Sequence, residues 1–117
     1  MMNSLDMRVL LIATAVGTLL QVAMVTIGHR NKKIMNLFAV GGMGISFLAG
    51  FQYAYLAAHE TMGPAIGGGA IAGGVCAFIG IAVSYALKDV PATLLALGTV
   101  SSIVTGAIGG WLGRFFV

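Results

Sequence analysis

This sequence predicts an all-α, multi-pass integral membrane protein, a bundle of four transmembrane helices with short loops, and three observations carry that expectation. Charged residues make up 8% of the 117-residue chain and hydrophobic residues 59%, against roughly 25% charged in soluble domains. A soluble globule of this composition would leave long apolar surfaces facing water. Four apolar stretches each reach the about 20 residues a helix needs to cross a hydrocarbon core. Finally, small residues recur at intervals of four in three of those stretches: Gly42, Ser46, Gly50, Ala54 and Ala58; Gly68, Ala72, Cys76, Gly80 and Ser84; and Gly98, Ser102, Gly106 and Gly110. Residues at i and i+4 lie on one helix face, and a face of small residues lets a second backbone approach closely in lipid.

The first helix is expected over about 9–28. It follows Arg8, but it is long for a signal-peptide core and no clear Ala-x-Ala site follows, so it reads as a retained helix. Gly28 to Lys33 separates it from the second, over about 34–58. His59 to Pro64 precedes the third, over about 65–87, with Pro64 placed for the first helical turn. Lys88 and Asp89 separate the third from the fourth, over about 90–112. There Asp89 is expected to cap the helix and Pro91 to fall in its first turn. Connections this short make consecutive helices antiparallel neighbours, and residues 1–117 form one membrane domain.

Loop charges set the expected orientation. Arg30, Lys32 and Lys33 share the first loop and Lys88 lies in the third, while the second carries Glu60 and no Lys or Arg. The positive-inside rule puts loops one and three in the cytoplasm and both termini outside it. Arg8 and Arg114 oppose that assignment. The expected location is the bacterial inner membrane, with Trp111, Phe115 and Phe116 as an interfacial anchor.

The net charge of +3 comes from six Lys/Arg against three Asp/Glu. The basic residues flank apolar runs rather than forming a patch with interleaved aromatics, so no nucleic-acid partner is expected. None of the three acidic residues falls inside an apolar stretch, which argues against a proton-driven exporter or a rotary-ring subunit. His29 and His59 fall on opposite membrane faces in this topology, so one chain cannot join them into a haem or metal site. No metal and no cofactor is expected. Cys76 lies on a small-residue ribbon and reads as a buried small side chain. Gly67, Gly68 and Gly69 lack the preceding strand and following Lys-Ser/Thr of a phosphate loop; packing is their expected role, and a broken helix there would indicate a transport site.

Polar residues within the apolar stretches include Gln21, Gln52, Tyr53, Tyr55, Ser101, Ser102 and Thr105. They suit interhelical hydrogen bonds, and the hydroxyls also suit bonds to their own i−4 carbonyls. The sharper alternative is a polar path lined by Gln21, Gln52, Ser101 and Thr105. No catalytic set is apparent, so no enzyme is expected. The leading expectation is a non-catalytic membrane subunit, in contact with lipid, that assembles through its ribbons with itself or with other membrane proteins. The alternatives are an oligomeric pore or small-solute transporter, comparable to phage holins in size and hydrophobicity, and a conjugative-type pilin subunit.

Overall fold

The computed structural model of the chain describes residues 7–31, 33, 38–57 and 62–116. Its elements are four helices: α1 (Met7–Arg30), α2 (Phe38–Ala57), α3 (Met62–Ala86) and α4 (Ala92–Phe115). Of these, α1, α3 and α4 are long and apolar enough to cross a membrane, as expected of an integral membrane protein. α2 has 20 residues, and Gly41, Gly42, Gly44, Gly50, Gln52, Tyr53 and Tyr55 dilute its hydrocarbon. Residues 34–37 and 58 of the expected second helix lie outside the described residues. α1 and α3 begin earlier than expected. α3 starts at Met62 with Pro64 still in its first turn, where the missing N–H has no intrahelical partner to lose.

Both faces of α3 carry small residues, and that places it at the centre. α3 and α4 share the most extensive interface, followed by α2 and α4, while α1 packs on α3 and α2. The bundle is elongated along its helices, 44 × 21 × 20 Å. Large apolar side chains point outward, among them Leu11, Leu19, Val40, Leu48, Phe78, Leu97 and Val104. The interior instead holds Ala13, Ala49, Ala54, Ala65, Ala72, Cys76 and Ala77. A core of small residues inside a sheath of large ones suits lipid, where hydrocarbon outside a helix costs nothing and close backbone packing holds helices together.

The α3–α4 corner departs from the expected capping. Lys88 adopts a left-handed conformation, φ 66°. Its N–H bonds the Tyr85 carbonyl at 2.9 Å and the Asp89 N–H bonds the Ser84 carbonyl at 3.0 Å. This is a Schellman closure of α3 with Lys88 in the position that usually takes glycine. Asp89 is thereby drawn into the end of α3 and does not cap α4; Pro91 is the N-cap residue, with no side-chain capping bond. The Asp89 carboxylate instead meets His29 at the end of α1, Oδ2 to Nδ1 2.8 Å. The ends of α1 and α3 therefore lie at the same end of the bundle, and the two helices run parallel.

Candidate functional site

The ribbon residues meet other helices of the same chain. On α2, a methyl group added at Gly50 would collide with the Gly106 carbonyl of α4. Ser46 donates to the Gly73 carbonyl of α3 at 3.1 Å. Gly42 receives the side chain of Gln21 from α1, and Ala54 packs beneath Gly113. Ala58 lies outside the described residues. On α3, Gly68 leaves the space that the ring of Tyr53 fills, and Tyr53 is the largest fully buried side chain among the described residues. Ala72 and Ser84 are buried, Cys76 lies over Gly17, and Gly80 lies against Gln21. On α4, Gly106 and Gly110 press on the carbonyls of Gly69 and Ala65, Ser102 is buried, and Gly98 abuts Ile81.

Two further small-residue faces complete the packing. Ala65, Gly69 and Gly73 line α3 where it meets α4, and a methyl on Gly73 would sit 2.8 Å from the Gly106 Cα. Gly109 and Gly113 line α4 where it meets Phe47 and Phe51 of α2. The signal for both was present in the same four-residue spacing, one position round the helix. α3 needs two such faces because it contacts every other helix.

Gln21 is 1% exposed and reaches between three helices. Its Nε2 donates to the Gly42 carbonyl at 3.0 Å and to Ser46 Oγ at 3.3 Å. Ser46 in turn donates a hydrogen bond to the Gly73 carbonyl, which also accepts one from the Cys76 thiol at 3.3 Å. The cluster thus satisfies buried polar groups that hydrocarbon cannot. α3 is helical without interruption through Gly67–Gly69, and no described glycine has positive φ, so no broken helix exposes carbonyls there.

Beside this cluster lies a cavity of about 150 Å³. It exists because α2 and α4 meet at Gly50–Gly106, Phe47–Gly109 and Phe51–Gly113, towards the far end of the bundle. Nearer the His29–Asp89 end they leave a gap between Met43 and Leu97, floored by Gln21, Ala77 and Ser84. Of the four residues expected to form a polar path, Gln21 and Ser101 line this cavity. Thr105 bonds back to its own helix, at 3.3 Å to the Ser101 carbonyl and 3.1 Å to that of Ser102. Gln52 is half-buried on α2 and is not on the cavity wall. His59 lies outside the described residues. Among the described residues no group of three His, Cys, Asp or Glu converges on a point.

The arrangement defines the class only as a helical protein with three helices able to cross a membrane, a small-residue core and a cavity between its helices. No family model matches the chain, and neither a curated protein nor a solved structure is similar to it.

Proposed function

We propose that this chain is a non-catalytic integral membrane subunit of four crossings, whose Gly/Ala/Ser ribbons build the subunit and whose outer surface meets lipid and neighbouring membrane proteins. One observation carries the reading. The described ribbon positions are matched by another helix of the same chain, while the large apolar side chains face outward. Contacts with a second copy or a larger complex would then use residues such as Leu11, Leu19, Leu48 and Val104. The fourth crossing is supported by the His29–Asp89 contact. Parallel α1 and α3 require the intervening chain to return across the membrane, and α2, about 30 Å long at 1.5 Å per residue, is the element that does so. The cytoplasmic placement of the first and third loops rests on their positive charge.

Native mass spectrometry of protein extracted gently from its own membrane tests the subunit reading. A fixed complex with other proteins or a symmetric homo-oligomer is the expected result. A lone chain carrying only lipid would defeat it. A second reading, an oligomeric pore or small-solute transporter, is favoured by the cavity that brings Gln21 and Ser101 together. Flux of small polar solutes into reconstituted vesicles would support it, and silence across a panel of solutes would remove it.

A further inference from the structure

The cavity beside Gln21 has a polar group with nothing to bond. Ser84 is 1% exposed, lies on the cavity wall, and its Oγ has no hydrogen-bond partner among the described residues. A helical serine ordinarily bonds the carbonyl one turn back when no other partner is at hand. Ser84 does not, although an unbonded buried hydroxyl is costly.

The position of that hydroxyl gives the cavity a polarity. Ser84 belongs to the last turn of α3, and Val90 of the α3–α4 corner lines the same end. Ser102 lies ten positions into α4, about 15 Å from the start of that helix at 1.5 Å per residue, and so deeper than Ser84. Met24, Val25, Met43, Ala77, Ile81 and Leu94 supply hydrocarbon walls, with the Gln21 side chain and Ser101 beside them. Among the described residues no ionisable side chain lines the cavity. Two of its lining residues, Leu97 (66% exposed) and Met43 (39% exposed), also lie on the outer surface of the bundle.

We infer that this cavity binds a small neutral molecule with a hydrocarbon body and a single hydrogen-bonding group, entering from the bilayer. The polar group meets Ser84 and the body lies along Ala77, Ile81 and Leu94. A charged ligand is disfavoured, because nothing on the walls compensates a charge. The volume sets the size, since an apolar cavity of about 150 Å³ accommodates a molecule as large as benzene. The cavity is the same whether the chain acts as a subunit or as a transporter.

Phenol and benzene are suitable probes, because they share a body and differ in one hydroxyl. The protein in lipid nanodiscs, labelled at its methionine methyl groups, is titrated with each. Met24 and Met43 lie on the cavity wall, whereas Met62 is at the opposite end of the bundle. Phenol should shift the Met24 and Met43 signals saturably and leave Met62 unmoved. In the unaltered protein phenol should bind roughly 2- to 10-fold more tightly than benzene, the effect of one hydrogen bond. Ser84→Ala should remove that advantage and leave benzene affinity within about twofold. Shifts that grow in proportion at all three methionines would mean partition into lipid only and would overturn the site. Equal affinities for phenol and benzene in the unaltered protein, or a phenol preference that survives Ser84→Ala, would overturn the role of Ser84.

Discussion

Gly50 of α2 faces the backbone of Gly106 of α4 so closely that not even a methyl group fits between them. The carbonyl of Gly69 occupies the same relation to Gly106 from the α3 side. Three helices therefore converge on one residue without a side chain, and the two α4 interfaces, with α3 and α2, are both anchored there. Glycine costs about 1 kcal/mol against alanine inside a helix, and here the backbone approach offsets that cost.

Glycines in this chain should divide into two groups by the sign of their alanine substitutions. Gly50→Ala and Gly109→Ala place a methyl against a facing backbone carbonyl and should destabilise by about 1–3 kcal/mol. Gly44 and Gly67 have nothing within 4 Å of an added methyl. Gly44→Ala and Gly67→Ala should be neutral or stabilising by up to about 1 kcal/mol. Equilibrium unfolding in detergent–lipid mixtures checks the contrast, and equal losses in both groups would refute it.

Much of this division was legible in the sequence, and part was not. Spacing by four marked Gly50, Gly80 and Gly106 as contact residues, because helix geometry converts that interval directly into a face. Gly69, Gly73, Gly109 and Gly113 belong to second faces, and a second face is expected only once the number of neighbours is known. Tyr53 was legible only as a polar residue within an apolar stretch; its burial depends on the space at Gly68, fifteen positions away and on another helix. Asp89 looked like a cap for α4 because acidic residues before helices ordinarily are. The left-handed Lys88 redirects it, and no local signal announces a lysine in that conformation.

Lys88 offers a direct test of the corner. A left-handed conformation strains any residue with a Cβ, so Lys88→Gly should stabilise the protein by about 0.5–1 kcal/mol. Lys88→Val should destabilise it, because a branched Cβ fits that conformation worst. Thermal unfolding of the three proteins in one detergent would rank them, and Lys88→Val matching the unaltered protein would contradict the corner geometry.

The Gln21 amide ties α1 to α2, and a double-mutant cycle measures the tie. Gln21→Leu and Ser46→Ala should each destabilise, with a coupling of about 0.6 kcal/mol and at most about 1.7, as for hydrogen bonds between membrane helices. Strict additivity would mean that the 3.3 Å contact contributes nothing.

Topology follows from the His29–Asp89 contact at the bundle end. With Cys76 replaced by alanine, single cysteines at Arg30 and Lys88 should react with a membrane-impermeant thiol reagent from the same side. A cysteine at Gly63 should react from the opposite side. Labelling of Arg30→Cys and Gly63→Cys from one side would contradict four crossings and leave α2 lying on one face of the membrane.

The claim that the ribbons serve the chain's own fold is tested most directly by unfolding Gly106→Leu beside the unaltered protein at a low and a high protein-to-lipid ratio. A leucine there drives apart α2, α3 and α4 of one chain, so the loss of stability should exceed about 3 kcal/mol and be the same at both ratios. A variant as stable as the unaltered protein when dilute, and weakened only when concentrated, would show that the ribbon faces another subunit.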